Sequence, residues 1–218
     1  MENIQLPQEK YYRSKPVREF DVNQTLYNTI FEQNKGNMYV DAIGFLGYSC
    51  TYADLKHNVD RLADAYSKAG VKEGDSVAIA TISMPIAQEN LLALSKLGAI
   101  SKWIDLRCKK NDLISKINES SCKIAVIFDG ITPMIEEILD ETDIQQVIVA
   151  SPKDYLNPII KVLANLKDKK EGKQIIIPDD KRFIKYNDFM KTGSKNSIIQ
   201  PVKFEKERPS ITNGYIRM

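Results

Sequence analysis

Between Thr51 and Phe128 amphipathic segments and short apolar runs follow one another in strict order, with Gly70, Gly74 and Gly98 at the joins. Strands separated by helix-length connections cannot be hairpin partners, so such runs must lie side by side in parallel, linked by right-handed crossovers. The pattern predicts a doubly wound α/β layer: a mainly parallel sheet with helices on both faces.

The individual signals agree with it. Leu55, Val59, Leu62, Ala63 and Tyr66 share one face of a helix over 52–69; Thr51 is placed to cap it, Asp54 to reach back, and Gly70 to close it. Ser76 to Ile82 is apolar with little alternation, as in a strand buried on both faces. Pro85 suits a first helical turn, Ile86, Leu91, Leu94 and Leu97 supply the buried side, and Gly98 ends that helix before a strand over 100–105. Asn111 or Asp112 is expected to cap the next helix. Strands are expected at 123–128 and 146–150, with a helix opening at Thr132-Pro133 between them. A further helix over 155–166, a polar lysine-rich loop over 167–173 and a fifth strand over 175–177 complete the reading. Ahead of this layer, Leu26, Ile30 and Phe31 fit a short helix over 23–33, and Gly47 fits a hairpin turn. The chain divides into an arm and short helix (1–34), an α/β domain (35–190) and a tail (191–218). No internal repeat is present.

Composition narrows the function classes. With 43% hydrophobic and 28% charged residues in 218, the profile is that of a globular protein. The 31 basic and 29 acidic residues are interspersed, not gathered into a stripe, which weighs against nucleic acid. No apolar run approaches the roughly 20 residues of a membrane helix, and Met1 to Lys10 do not read as a secretory signal, so the expected address is cytoplasmic. Cys50, Cys108 and Cys122 have neither disulfide-framework nor zinc-site spacing and read as buried thiols.

Open parallel sheets bind ligands beyond the carboxyl ends of their strands. The candidates there are Trp103, Asp105 and Arg107, which could line a binding crevice, or else be a core tryptophan and a local ion pair. Asp129-Gly130 follows a strand but reads as a turn. His57, the one histidine, points away from the apolar face of its helix and reads as surface. Tyr11 and Tyr12 read as an arm packed on its own domain, and the carboxylates over 136–143 as a solvated helix face and not a metal cluster. No Gly-x-Gly-x-x-Gly follows a strand and no P-loop occurs.

Thr51-Tyr52-Ala53-Asp54-Leu55, then Gly70 to Asp75 leading into Val77-Ala78-Ile79, then Leu97-Gly98-Ala99-Ile100 followed by Asp105, together resemble the amino-terminal part of the adenylate-forming synthetases, the AMP-dependent acyl-CoA synthetase and ligase family. The resemblance runs from about Leu26 to Ile211, and the stretch Ala99 to Arg107 is similar to the acyl-CoA synthetase branch. It implies a two-step ligase in which ATP and a carboxylate give an acyl adenylate and pyrophosphate, and coenzyme A then displaces AMP. ATP, Mg²⁺ and coenzyme A are thereby implied for a full-length member. In the family, Arg208-Pro209-Ser210-Ile211 would lead into a Gly/Ser/Thr-rich phosphate loop; here Thr212-Asn213-Gly214 and four more residues follow. The expectation is therefore an amino-terminal fragment that binds no cofactor alone, is inactive without phosphate loop and lid, and self-associates through apolar surface the remainder would cover. The alternative is a non-catalytic nucleotide-binding or protein-interaction module derived from the same fold.

Overall fold

The computed structural model describes residues 21, 23–172 and 174–213. The arm with Tyr11, Tyr12 and Phe20 and the chain end from Gly214 lie outside them. A short helix, α1 (Leu26–Gln33), starts where Thr25 accepts a hydrogen bond from the Asn28 N–H at 3.2 Å, three residues later than the sequence predicts. The hairpin follows as β1 (Asp41–Phe45) and β2 (Tyr48–Thr51), paired antiparallel.

Helix α2 (Tyr52–Lys68) shows the expected capping box: Thr51 Oγ1 accepts from the Asp54 N–H at 3.2 Å, and the Asp54 carboxylate accepts from the Thr51 N–H at 3.0 Å. Gly70, at φ +91°, lets the chain leave it. The main sheet then builds through β3 (Ser76–Ala80), α3 (Pro85–Leu97), β4 (Ile100–Trp103), α4 (Lys110–Glu119), β5 (Ile124–Phe128), α5 (Thr132–Ile138) and β6 (Gln146–Ala150). It continues with α6 (Pro158–Glu171), β7 (Phe183–Lys185), α7 (Tyr186–Thr192) and β8 (Ile211–Asn213). Spatial order is β7-β6-β5-β3-β4-β8, and every pairing is parallel.

Residues alternate between two cores, as the pleat requires. Val77, Ile79, Val126 and Ile148 face α2, α3 and α7 through Leu62, Tyr66, Ile86, Leu94 and Phe189. Ala78, Ala125, Ile127, Val147 and Val149 face α4 and α5 through Leu113, Ile117, Ile135 and Ile138. Helices therefore cover both faces, the doubly wound arrangement read from the alternating segments.

Four local readings are corrected. Helix α4 has Lys109 at its N-cap without a side-chain cap bond; Asn111 and Asp112 sit inside its first turn, where Asp112 meets the positive end of the helix dipole. Helix α6 begins at Pro158 and runs through residues expected to be loop, to Glu171, because Asn157 accepts from the Ile159 N–H and Pro158 occupies the first helical position. The fifth strand is not 175–177, where Pro178 follows and removes a ladder donor, but β7. Leu91 is only half-buried while Glu89, Asn90, Ser95 and Lys96 are buried, so α3 is enclosed on nearly all sides. Residues read as a tail include β8, which forms the outer strand beside β4.

Candidate functional site at the strand exits

Strand order reverses between β3 and β5: the chain winds outward from β3 to β4, crosses back to β5, and proceeds to β6 and β7. The exits of β3 and β5 therefore flank the switch point at which such sheets open a crevice. Helix α3 starts there, with Met84 as an extended N-cap that makes no side-chain cap bond. Burial raises the Tyr155 hydroxyl, an effect the Ile86 backbone in that first turn partly offsets, and its ring packs edge-on against Phe45 and tilted against Tyr48, with centroids 5.8 and 5.1 Å away.

One turn into α3, Glu89 is 2% exposed and accepts hydrogen bonds from Asn58 Nδ2 at 3.0 Å and from the Tyr186 hydroxyl at 2.7 Å. Burial raises its carboxyl above the usual range, with the two donors partly offsetting that shift. The adjacent Asn90 accepts from the Tyr66 hydroxyl and donates to the Ile86 carbonyl at 2.7 Å. Sequence reasoning missed this network. Its signal was the pair Glu89-Asn90 breaking an otherwise apolar helix face.

Trp103 is the last residue of β4, aligned with Ile79 of β3 and Asn213 of β8, and packs half-buried against the core beside α3. Asp105 and Arg107 lie in the loop beyond. The Arg107 guanidinium donates to both Asp105 oxygens, Nη2 to Oδ2 at 2.6 Å and Nε to Oδ1 at 3.0 Å, while the Arg107 N–H also donates to Oδ1 at 2.9 Å. These bonds hold the Asp105 carboxyl well below the usual carboxylate range. The three candidates therefore lie together at the end of β4 and in the loop beyond it, with Asp105 and Arg107 committed to each other. His57 is exposed on α2. Asp129-Gly130 belongs to a single 3-10 turn, residues 129–131, between β5 and α5.

A second opening, about 490 Å³, lies at the exits of β5, β6 and β7 and is lined by Asp129, Ser151, Lys153, Lys161, Lys185 and Asp188 among others. Burial raises the Asp129 carboxyl, and the Ser151 hydroxyl counteracts it. Opposite charges are matched in pairs: Lys161 donates to Asp154 at 2.8 Å, and Lys153 to Asp168. Cys50 and Cys122 are buried, whereas Cys108 is half-buried with Lys116 Nζ 3.0 Å from its sulfur.

A nucleoside triphosphate with Mg²⁺ requires converging donors and an acidic ligand set. Among the described residues no group of three or more His, Cys, Asp or Glu side chains is placed to hold a metal ion. Arg107 and Lys153 are already engaged with carboxylates. These residues do not fit such a group by themselves, and no catalytic step follows from them. No helix among the described residues is long and apolar enough to cross a membrane.

This fold and its exit crevice define a class: the chain belongs to the AMP-binding enzyme family, whose profile matches residues 30–212. Among curated relatives, the mitochondrial acetyl-coenzyme A synthetase 2-like protein of Homo sapiens is 31% identical over 114 residues, covering 48% of this chain and 16% of that protein. Acetyl-coenzyme A synthetase 1 of Saccharomyces cerevisiae is 34% identical over 84 residues, covering 38% of this chain and 12% of that protein. In fold, the chain is similar to the anthranilate CoA ligase AuaEII in complex with anthranoyl-AMP, with TM-score 0.68 and 14% identity, covering 86% of this chain and 31% of that one. A long-chain-fatty-acid-CoA ligase from Archaeoglobus fulgidus gives TM-score 0.67 and 15% identity, covering 91% and 35%. The chain thus spans about a third of the solved ligases and a smaller part of the curated synthetases.

Proposed function

We propose that this chain supplies amino-terminal scaffold of an AMP-forming acyl-CoA synthetase, an enzyme that couples ATP and a carboxylate to an acyl adenylate and then to coenzyme A, and that it performs neither step alone. The observation that carries this reading is the family match over 30–212 on a sheet whose exit cations Arg107 and Lys153 are each engaged with a carboxylate. Trp103, Asp105 and Arg107 form one wall of the crevice in the complete enzyme, with the Asp105 carboxylate holding the guanidinium in place. The cytoplasmic address belongs to the same reading. So does self-association through uncovered apolar surface, to which Tyr39, Val40 and Leu46, exposed around the hairpin, contribute.

Trp103 is the one tryptophan, so its fluorescence reports on the crevice directly. Titration of the chain with ATP, AMP and coenzyme A, followed by Trp103 emission and by calorimetry, is expected to give neither a spectral change nor heat. Micromolar nucleotide binding would replace this reading with that of a nucleotide-binding module.

A further inference from the structure

Helix α6 is turned inside out relative to an ordinary surface helix. Its inward residues are polar: Lys161 donates to Asp154 at 2.8 Å, and Asp168, seven residues on, accepts from Lys153. Its outward side carries a run of aliphatic residues. Ile159 is 73% exposed, Val162 58%, Leu163 61% and Leu166 59%, and their spacing of three, one and three residues makes one continuous stripe. None of the 14 residues of α6 is buried.

The stripe has a charged continuation. Lys169 and Lys170 stand three and four residues beyond Leu166, on the same side of the helix, and Lys167 flanks them; all three are exposed. Apolar side chains outward with lysines beside them are the two features that hold a helix in the plane of a lipid interface, the aliphatic groups entering the acyl boundary and the ammonium groups meeting anionic headgroups. A second copy of the chain is a poorer match. A helix of this length is about 21 Å long and about 10 Å wide, which falls short of the roughly 800 Å² that each partner buries in a stable dimer, and two copies would bring like charges together.

We infer that α6 is a docking surface for an anionic lipid bilayer. The helix stands beside the strand exits, since Lys161 lines the same opening as Asp129, Ser151 and Lys185. Docking would therefore set those exits against the membrane surface. That an amphiphilic carboxylate reaches the crevice from there rests on the proposed ligase role; lipid docking itself does not.

The test is co-sedimentation of the whole chain with vesicles of phosphatidylglycerol and phosphatidylcholine in equal parts, and with vesicles of phosphatidylcholine alone. Two variants accompany it, Leu163→Glu with Leu166→Glu, and Lys167→Gln with Lys169→Gln and Lys170→Gln, each checked for native circular dichroism. We expect binding to the anionic vesicles that falls with added salt, a loss of at least about tenfold in the leucine variant, and loss of the anionic preference in the lysine variant. Failure to bind either vesicle, equal binding to both, or leucine-variant binding equal to the parent would overturn the inference. So would a dimer in sedimentation velocity that the leucine variant abolishes while vesicles leave the parent in solution, which would assign the stripe to a second copy. Nucleotide titration is independent of all these outcomes, so failure here is separable from failure of the ligase reading.

Discussion

The hydroxyl of Tyr186 donates a hydrogen bond to the buried carboxylate of Glu89 at 2.7 Å, joining the first turn of α7 to α3 across 97 residues of chain. Because burial raises the Glu89 carboxyl above its ordinary 4.5, the folded protein holds this proton more tightly than the unfolded chain does. Its stabilising contribution is thus fully present below about pH 4.5 and is lost as pH rises through the folded value. Glu89→Gln removes the titration. Urea midpoints measured from acid to neutral pH should decline less with rising pH in the variant than in the parent; parallel curves would show that Glu89 does not titrate in this way.

Lys96 has a side chain only 4% exposed, yet it meets Asp60 at 2.8 Å and lies 5.1 Å from the Tyr27 ring centroid. Asp60 also accepts from Lys56 and from the Tyr27 hydroxyl, each at 2.6 Å, so one carboxylate ties α1, α2 and α3 together. Removing it strands a buried ammonium. Asp60→Ala should cost about 3–5 kcal/mol in denaturant unfolding, and Lys96→Met considerably less, because a neutral side chain fills the same space while Asp60 keeps Lys56. Equal costs would contradict this.

Gly98 takes φ +69° after α3, and a Cβ there would stand 2.9 Å from Arg208 Nη1 and 3.1 Å from Val202 Cγ2. Arg208 in turn grips Glu73 at 2.5 Å. Gly98→Ala therefore combines left-handed strain with a clash and should lose at least about 1–2 kcal/mol, whereas Gly47→Ala, at φ +81° in open space, carries the strain alone. Thermal unfolding of the two variants separates the contributions.

Leu46 and Gly47 form the two-residue hairpin turn with φ +49° and +81°. A leucine is poorly suited to that conformation, and its side chain is exposed, so it gains little from burial. Leu46→Asn should raise stability by about 0.5–1 kcal/mol, read as a higher denaturant midpoint. No change would mean that the turn tolerates leucine without strain.

Much of the fold is legible in the sequence because its signals are local. Thr51 and Asp54 are three residues apart and cap α2 in the structure as their types imply; Pro85 and Gly98 bracket α3; the apolar run at 124–128 is a strand buried on both faces. What escaped was decided at long range. Ile175 to Ile177 is the more apolar of two equally short segments, yet pairing with β6 selects the other, Phe183 to Lys185. Helix α6 runs on to Glu171 where the sequence suggests loop, because lysines suggest solvent wherever they fall, while two ion pairs to residues before the helix set its orientation. Glu89 and Lys96 are polar residues that tertiary partners, not neighbours in sequence, make suitable for a core. At the exits, Asp105 and Arg107 form the local ion pair that their spacing allows, and Trp103 is partly core.

A scaffold of this kind does not activate a carboxylate unaided, and pyrophosphate release is the direct measure of that. The pure 218-residue chain, incubated with ATP, Mg²⁺ and carboxylates from acetate to long-chain fatty acids, should release pyrophosphate no faster than a blank without protein. Release that requires both ATP and a carboxylate, and scales with the amount of this chain, would contradict the account.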